Sequence, residues 1–340
     1  MTRVLINDNT LRDGNHAIQQ QLTVRQIARY AEAAEAAGVP IVEVGHGNGL
    51  GASSLNVGVS LTDDLSMLKA AREKLSHSKL GVHVIPGFAT IEKDIRPALE
   101  IGVDVVRVAS HCTEADITQR HIGYVRDKGK GVYGVLMMSH MASDDVLLTE
   151  CNKLESYGAE GVILMDSAGA SLPSDISARI GILVKNLGIP VGFHAHNNLG
   201  MAIANSIAAA QAGATILDGC ARGFGAGAGN APLEILVAVL EKMGYSTNID
   251  LYKILDLSDI AEKEIIPSLP VVRPISIVSG LAGVFSGFSK HVDRIGREYG
   301  VDPRDIFFEL GKMGVVAGQE DMILEVAIKL AGKKGVANEH

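Results

Sequence analysis

The sequence predicts a (β/α)8 TIM barrel, an α/β fold, with a small helical domain at its C-terminal end. Eight short apolar runs recur along the chain, and most of them follow a turn that contains Gly and end in polar residues. Near-continuous apolar runs are typical of strands that are buried on both faces. The segments between them have a helical period, and eight strands alternating with helices favour a closed barrel. The predicted strands are Val4–Asp8, Ile41–Gly45, Val82–Ile85, Val105–Ala109, Val132–Met137, Val162–Met165, Val191–His196 and Thr215–Gly219.

An open, doubly wound sheet is the alternative architecture for this alternation of strands and helices. Such a sheet often carries the motif Gly-x-Gly-x-x-Gly directly after its first strand. Here the first predicted strand is followed by Asn-Thr-Leu-Arg-Asp-Gly-Asn-His, which does not match that motif. The missing motif and the count of eight strands both favour the barrel.

Length and composition exclude several classes of protein. A single barrel takes about 250 residues, so a chain of 340 residues has room for a second unit. The net charge of −8 and the lack of a Lys/Arg block argue against a nucleic-acid binder. The N-terminus leads directly into a strand and no apolar stretch reaches the length of a membrane span, so we expect a cytoplasmic protein. The widely spaced cysteines predict neither a disulfide framework nor a Cys-type metal pair; they are Cys112, Cys151 and Cys220.

The strand pattern stops near residue 255. We therefore predict a barrel domain over residues 1–255 and a helical domain over residues 256–340. Three prolines, at 267, 270 and 274, interrupt the beginning of the second domain. Its predicted helical segments are Leu257–Ile265, Val278–Phe288, Pro303–Leu310 and Asp321–Leu330.

Histidines are concentrated at the predicted strand ends. Active sites of TIM barrels lie at the carboxyl ends of the strands, and six of the 11 histidines fall there. One more, His83, lies within the third strand. A purely structural distribution would not favour one end of the barrel so strongly. The six histidines at strand ends are His16, His46, His111, His140, His194 and His196.

His194 and His196 form the sharpest local pattern. Residues two apart in a strand point to the same face, so both imidazoles are predicted to face the mouth of the barrel. Two neutral imidazoles and one carboxylate suit a divalent ion such as Mn²⁺, Mg²⁺, Co²⁺, Fe²⁺ or Zn²⁺. Two hydrogen-bonded polar residues in a loop are the alternative interpretation. The position of the carboxylate stays open at this point, because four aspartates follow strands: Asp8, Asp13, Asp166 and Asp218. Any of them could cap a helix instead, and inward-pointing Glu43 could serve only to hold Arg or His side chains.

The predicted strands carry no Lys within their apolar runs. An aldolase that forms a Schiff base needs a Lys that projects into the barrel, so this class is disfavoured. If the barrel acts on a carbonyl compound, a metal ion would have to polarise the carbonyl oxygen instead. The Gly-rich loop Gly223–Gly229 could bind a phosphate through its N–H groups. Only Arg222 next to that loop is basic, which argues against a phosphorylated substrate.

Several motifs together resemble the metal-dependent pyruvate-aldolase and acyl-lyase superfamily. Within it, the chain is most similar to the branch of bacterial 4-hydroxy-2-oxovalerate aldolases, and the resemblance covers nearly the whole chain. The superfamily motifs are Thr10-Leu11-Arg12-Asp13-Gly14 and His194-Ala195-His196-Asn197. The motifs of the branch are Asn15-His16-Ala17, Gly45-His46-Gly47, Gly49–Ser54, Gly223–Glu234 and Gly318–Met322.

The resemblance implies a role for each matching residue. It implies that Mn²⁺ or a similar divalent ion is bound by three side chains: Asp13, His194 and His196. Arg12 would bind the pyruvate moiety and stabilise its enolate, and His16 would take the proton of the C4 hydroxyl. Ser167 would contact the pyruvate end of the substrate, and Asn230 would lie near the metal.

The resemblance also extends to residues 256–340. In relatives this helical domain docks an acylating aldehyde dehydrogenase, which receives the volatile aldehyde through a channel. A dehydrogenase partner and a heterotetramer are therefore expected. The sequence alone shows an apolar appendage, for which packing against the barrel is the simpler explanation.

Three positions depart from the pattern of the family. Phe285 replaces a Tyr that helps to orient the aldehyde part of the substrate, which puts stereochemical control at C4 in doubt. His83 replaces an aliphatic residue that lines the aldehyde pocket, where it could hydrogen-bond a more polar aldehyde or simply be a satisfied polar group. Ala317 replaces a Gly beside the channel, which it could narrow by a methyl group.

Three functions follow as hypotheses. The first is retro-aldol cleavage of 4-hydroxy-2-oxopentanoate, or a close 4-hydroxy-2-oxo acid, to pyruvate and acetaldehyde or another short aldehyde. The second is Claisen-type cleavage or condensation of an acyl-CoA thioester, as in other branches of the superfamily. The third is a barrel that acts only as the docking subunit of a dehydrogenase; the presence of Arg12, Asp13, His16, His194 and His196 argues against it.

Overall fold

The structure is a computed structural model that describes residues 2–316 and 318–337. Strands β1–β8 form a closed parallel barrel in chain order, with β8 pairing back onto β1. The predicted (β/α)8 barrel is therefore confirmed. The strands are β1 (Leu5–Leu11), β2 (Ile41–Val44), β3 (Lys79–Val84), β4 (Val105–His111), β5 (Gly131–Met137), β6 (Val162–Asp166), β7 (Val191–Ala195) and β8 (Ile216–Gly219).

Helices surround the barrel and continue into the C-terminal region. Those before residue 270 are α1 (Gly14–Ala17), α2 (Val24–Ala37), α3 (Asp64–Arg72), α4 (Arg96–Ile101), α5 (Gln119–Asp127), α6 (Asp144–Ser156), α7 (Pro173–Asn186), α8 (Ala202–Gln211), α9 (Leu233–Lys242) and α10 (Leu251–Glu264). Those after it are α11 (Pro274–Ala282), α12 (Ser289–Tyr299), α13 (Pro303–Met313) and α14 (Asp321–Ala337). Within the described part of the chain, no helix combines the length and the apolar character needed to cross a membrane.

Strand β1 is longer than predicted, because it runs on through four polar residues to Leu11. These polar side chains are buried on both faces of the strand. Asn7 and Asn9 point into the barrel, while Asp8 and Thr10 point outward and bond Tyr30 of α2. Asn7 Nδ2 donates to Asn9 Oδ1 at 2.8 Å, and Thr10 Oγ1 donates to Asp8 Oδ1 at 2.5 Å. Hydrogen bonding of this kind removes the cost of burying polar groups. A strand pattern based on apolar residues therefore ends too early here.

The core of the barrel lies between its outer face and the helices. Val82 and Val84 of β3 belong to this core, as do Ile254 and Leu257 of α10. A second, smaller apolar cluster fills part of the barrel interior and is formed by Ala109, Val135, Ile163, Met165 and Ile216. The interior is thus apolar at one level and strongly polar at the strand ends.

The C-terminal helices have a hydrophobic cluster of their own, which includes Phe288, Phe307 and Leu310. The predicted segment Val278–Phe288 is not one helix, because α11 ends at Gly283 with a left-handed φ of 65°. The domain division after residue 255 stays a prediction, and α10 spans that point while packing on α2. Ala317 lies outside the described residues.

Candidate active site

The carboxyl ends of the strands bring three of the predicted ligands together. Asp13 follows β1, while His194 and His196 lie at the end of β7. One ligand atom from each of the three side chains can be chosen so that all lie within 4.8 Å of one another, and all three residues are buried. The ring centroids of the two histidines are 5.0 Å apart. This grouping has the ligand types and the size of a site for a divalent ion.

The hydrogen bonds of His194 prepare it as a ligand. Its Nδ1 lies 2.8 Å from Asp218 Oδ2, and because a carboxylate oxygen accepts, Nδ1 carries the hydrogen of this hydrogen bond. The other nitrogen, Nε2, has no hydrogen-bond partner among the described residues and lies 3.9 Å from Asp13 Oδ2. A carboxylate behind a metal-binding imidazole fixes its tautomer and orientation in this way.

His196 also has a ring nitrogen that is available to bind a metal ion. Its Nδ1 is buried and makes no hydrogen bond within the described parts of the chain. Burial lowers the pKa of His196 to about 3, so the ring stays neutral at physiological pH. The neutral ring of His196 and the unpartnered Nε2 of His194, beside the carboxylate of Asp13, fit a divalent cation.

Asp13 is held by the loop after β8. Its Oδ1 accepts hydrogen bonds from Ala226 N at 3.1 Å and from Asn230 Nδ2 at 2.9 Å. A Cβ on Gly225 would lie only 2.2 Å from Asn230 Nδ2, so glycine is required for this close approach. Burial disfavours the charged form of Asp13, but Arg12 and the nearby histidines outweigh it and hold its pKa well below the ordinary value. The Gly-rich loop therefore positions a carboxylate.

The other three candidate aspartates have different partners. Asp218 lies behind His194, as described above. Asp166 accepts hydrogen bonds from the backbone N–H groups of Ala170 and Ser171. Asp8 accepts from Thr10 and Tyr30, and burial raises its pKa to about 6 despite those bonds. Among the four aspartates, only Asp13 groups with both histidines.

A network of alternating charges lies beneath the site. Arg12 Nη1 donates to Asp13 Oδ2 at 2.6 Å, and Arg12 Nε donates to Glu43 Oε1 at 2.6 Å. Arg107 Nη1 donates to Glu43 Oε2 at 3.0 Å, and Arg107 Nη2 donates to Asp218 Oδ2 at 2.6 Å. We call this set the buried charge network; its members are Asp13, Arg12, Glu43, Arg107, Asp218 and His194. Burial disfavours the charge of Glu43, but Arg107 and Arg12 lower its pKa to about 2.

One N–H group of the Arg12 guanidinium is not used in a hydrogen bond within the described residues. Its Nη2 is buried and has no partner among residues 2–316 and 318–337. Burial opposes its charge, but Glu43 and Asp13 raise the pKa of the guanidinium further above its ordinary range, so it stays charged. A fixed cation with a free N–H beside the grouped ligands is suited to bind an anionic substrate.

His16 lies beside the same site on α1. Its half-buried ring packs on Gly47, where a Cβ would lie 2.6 Å from three ring atoms. The ring of Phe285 meets it edge to face, with centroids 6.5 Å apart. Burial lowers the pKa of His16 below its ordinary value of 6.5. A neutral imidazole of this kind is suited to accept a proton.

Ser167 lies at the end of β6 and is buried. Its Oγ accepts the N–H of Met138 at 2.9 Å, while its carbonyl oxygen accepts from Ser286 Oγ at 2.9 Å. Ser286 belongs to the C-terminal region, which therefore contacts the end of a barrel strand directly.

His83 lies on β3 and is buried, and its Nδ1 has no hydrogen-bond partner in the part of the chain that the structure describes. The other histidines at the strand ends bond to the protein itself. His46 Nε2 lies 3.0 Å from the carbonyl oxygen of Gly58, and His140 Nε2 lies 2.9 Å from that of Gly283.

Sequence reasoning missed Arg107. It lies inside the predicted apolar strand Val105–Ala109. Arg107 is two positions from Ala109, whose side chain lies in the barrel interior, so both share that face. A charged residue on an otherwise apolar strand was the signal that the sequence offered. Its role in the network depends on Glu43 and Asp218, which are distant in sequence, so their approach could not be read from the chain.

The model of the HMGL-like family matches residues 3–261, and that of the DmpG-like communication domain matches residues 270–332. The first match covers more than half of the chain, so the protein is a barrel of the HMGL-like family. The chain is 66% identical to a 4-hydroxy-2-oxovalerate aldolase of Spirochaeta aurantia, over 97% of this chain and 97% of that protein. It is 61% identical to the protein of the same name from Pectobacterium atrosepticum, over 97% of this chain and 96% of that protein. The chain therefore belongs to the 4-hydroxy-2-oxovalerate aldolase family of carbon–carbon lyases.

Solved structures agree with the fold. The carboxyl transferase domain of Rhizobium etli pyruvate carboxylase superposes with a TM-score of 0.80 at 18% identity, over 97% of this chain and 60% of that chain. The N-terminal domain of a putative aldolase from Bacteroides vulgatus gives a TM-score of 0.70 at 24% identity, over 86% of this chain and 96% of that chain. At these identities, the likeness concerns the fold alone.

Proposed function

We propose that this protein cleaves 4-hydroxy-2-oxopentanoate, or a close 4-hydroxy-2-oxo acid, to pyruvate and a short aldehyde. The proposal rests on one observation. Ring nitrogens of His194 and His196 that have no hydrogen-bond partner lie beside the carboxylate of Asp13, and Arg12, which pairs with Asp13, has an unpartnered Nη2. Buried polar atoms without partners are rare in folded proteins, and their convergence indicates a site built for a cation and an anionic substrate. The close relatives carry the name of this activity.

The metal site is proposed to consist of Asp13, His194 and His196. Their nitrogen and oxygen donors suit Mn²⁺, with Mg²⁺ or Co²⁺ as alternatives. When bound, such an ion supplies a Lewis acid that polarises the keto group and favours the enolate. Asp218 would keep His194 in the tautomer that presents Nε2.

Arg12 is proposed to bind the 2-oxo acid. Its free Nη2 would donate to the oxygens of the pyruvate moiety, while Glu43 and Asp13 hold the rest of the guanidinium in place. Negative charge develops on the C2 oxygen as the C3–C4 bond breaks. A preorganised cation stabilises that charge without having to move.

His16 is proposed to be the base. Its neutral ring would accept the proton of the C4 hydroxyl, and the C4–O bond would become the carbonyl of the aldehyde. The electron pair of the C3–C4 bond would pass into the enolate of pyruvate, which then takes a proton at C3. The lowered pKa of His16 supports this role, because the ring is unprotonated at neutral pH.

Three further residues are proposed to line the substrate. Ser167 would contact the pyruvate end, since its Oγ already accepts one hydrogen bond and keeps its own hydrogen to donate. Phe285 would pack against the aldehyde part, because its ring lies against His16. His83 would contact the substrate through its free nitrogen.

The partner is proposed to be an acylating aldehyde dehydrogenase that docks on the C-terminal helices and forms a heterotetramer. The match to a communication domain over residues 270–332 supports this. Co-expression with the dehydrogenase encoded nearest to this gene, followed by native mass measurement, tests it. Two separate proteins in that measurement would contradict the proposal.

The cytoplasmic location of the protein stays a prediction.

The reaction is tested by following the release of pyruvate from 4-hydroxy-2-oxopentanoate. We expect activity with Mn²⁺, loss of activity after exhaustive chelation, and recovery when Mn²⁺ is returned. Consumption of acetyl-CoA in the presence of a 2-oxo acid would point to the Claisen-type alternative instead. Equal turnover before and after chelation would overturn the proposed metal-dependent mechanism.

A further inference from the structure

His83 is a buried polar side chain with no assigned partner. Only 2% of it is exposed, and its Nδ1 makes no hydrogen bond with any residue that the structure describes. A buried nitrogen that lost its water and gained no partner carries a free-energy penalty. Such atoms in native proteins call for an explanation, and a ligand that supplies the missing hydrogen bond is one.

The side chain of His83 points into the barrel. Its neighbours Val82 and Val84 belong to the core between the barrel and the helices, so the residue between them faces the opposite way. Ile85, two positions further, packs on the apolar cluster of the interior. His83 also pairs in register with Arg107, which belongs to the buried charge network.

His83 and His16 lie on either side of one short loop. The N–H of Leu50 donates to the carbonyl oxygen of His83 at 2.9 Å, and a Cβ on Gly49 would lie 2.4 Å from that oxygen. Gly47, in the same loop, lies against the ring of His16. Since His16 is proposed to act on the C4 hydroxyl, we infer from this shared loop that the ring of His83 faces the aldehyde half of the substrate.

The chemistry of His83 suits a neutral hydroxyl group. Burial and the charge of Arg12 hold its pKa well below its ordinary value, so the ring is uncharged. A neutral ring does not compensate a carboxylate or a phosphate. It offers one nitrogen that donates or accepts, according to its tautomer, and a hydroxyl group can meet either need.

We propose that His83 forms a polar subsite for a hydroxyl group on the carbon next to the aldehyde carbon. The substrates of this chain would then be 4,5-dihydroxy-2-oxo acids, and the products would be pyruvate and an α-hydroxyaldehyde. This inference rests on the proposed aldol reaction and deepens it by naming the class of aldehyde.

Glycolaldehyde and propionaldehyde test the subsite, because they have nearly the same size and differ by a hydroxyl in place of a methyl group. Condensation of each with pyruvate is measured on the Mn²⁺-loaded protein as kcat/KM. We expect the wild type to prefer glycolaldehyde. His83→Leu should reduce the ratio of the two kcat/KM values about tenfold, the size of one hydrogen bond to a buried group. His83→Asn, whose amide can occupy the position of Nδ1, should restore much of the ratio.

The outcomes separate this inference from the proposed function. If neither aldehyde reacts and 4-hydroxy-2-oxopentanoate is not cleaved, the aldol reaction itself is wrong. If the wild type is an active aldolase but His83→Leu leaves the ratio unchanged, the subsite is wrong and His83 has only a structural role. Metal content and thermal unfolding of each variant show whether the barrel and the metal site are intact.

Discussion

Arg107 and His194 share one acceptor, since both donate a hydrogen bond to Oδ2 of Asp218, at 2.6 Å and 2.8 Å. Arg107 also donates to Glu43, which in turn accepts from Arg12. The side chain proposed to stabilise the enolate and a side chain proposed to bind the metal are thus connected through buried ion pairs. Because these pairs are buried and Arg12, Glu43 and Arg107 each take part in two of the bonds, the connection orients both groups before substrate arrives.

The role of Asp218 can be tested on metal affinity. Asp218→Asn removes the negative charge behind His194, and we expect the dissociation constant for Mn²⁺ to rise about 10- to 100-fold, the range seen for such partners. Asp166→Asn is the matched control, because Asp166 also follows a strand and accepts from the backbone N–H groups of Ala170 and Ser171, not from a proposed metal ligand. Titration calorimetry measures the dissociation constant for Mn²⁺ in both variants. Equal losses of affinity would mean that Asp218 has no specific effect on His194.

The role of His16 can be tested on turnover. His16→Ala should reduce kcat at least ~100-fold, as expected when a general base is lost, while metal content stays at the level of the wild type. His111→Ala serves as the control, since His111 lies at another strand end and bonds to Thr113. Steady-state kinetics measures kcat, and metal analysis measures the metal content of each variant. A fully active His16→Ala protein would remove this residue from the mechanism.

The pH profile follows from the pKa of His16, which burial holds below the ordinary value of 6.5. The base works when it is neutral, so kcat/KM is full above the folded-state pKa and falls as the pH drops through it. We therefore expect the acid limb below pH 6.5. The charge of Lys290 also lowers this pKa, so Lys290→Met should move the limb to higher pH. Metal content measured at each pH separates this limb from loss of the ion, and a limb above pH 6.5 in the wild type would contradict the assignment.

Gly225 is a further test of the site. Gly225→Ala adds a Cβ at 2.2 Å from Asn230 Nδ2 and 2.6 Å from Asp13 Oδ1, so we expect Asp13 to move and metal affinity to fall. The matched control is Gly123→Ala on α5, where nothing lies within 4 Å. That change should raise stability by roughly 0.5–1 kcal/mol, the usual gain of Ala over Gly in a helix. Unaltered Mn²⁺ binding by Gly225→Ala would show that the loop does not position Asp13.

Phe285 is expected to limit stereochemical control. Phe285→Tyr would add a hydroxyl on a ring that meets His16 edge to face, and we expect sharper discrimination between the C4 enantiomers. Phe308→Tyr on an exposed part of α13 is the control. Chiral analysis of the condensation product measures the effect. Identical enantiomeric ratios for wild type and Phe285→Tyr would show that this ring does not contact the substrate.

The alternation of apolar runs and helical segments was sufficient to predict the barrel. It ended β1 too early, because Asn9 and Thr10 are satisfied by hydrogen bonds with Asn7 and Asp8 and so continue the strand without being apolar. It also failed at residues 278–288, where Gly283 ends α11. Local hydrogen bonds extend the strand in the first place, and a left-handed φ ends the helix in the second, and neither is visible in the pattern of hydrophobicity.

The site could be predicted only in part from residue types. The spacing of His194 and His196 indicated a metal pair, and the structure does bring them together with Asp13. The choice among four aspartates needed three-dimensional information, since Asp8 and Asp166 have the same position relative to a strand but bond elsewhere. The pairing of Arg107 with Glu43 and Asp218 could not be read from the sequence for the same reason.

The alternating signs of the buried charge network also constrain how this chain can change over evolutionary time. Removing one partner of a buried ion pair leaves the other uncompensated, at a cost of about 3–5 kcal/mol, which is a large share of the stability of a typical domain. Glu43 and Arg107 each have a second partner in the network, Arg12 and Asp218, so an apolar residue at either position disturbs more than one ion pair. His83 and Phe285, which are proposed to contact the aldehyde part of the substrate, take no part in these pairs. On that proposal, single substitutions there would change the aldehyde preference while the chemistry is inherited unchanged.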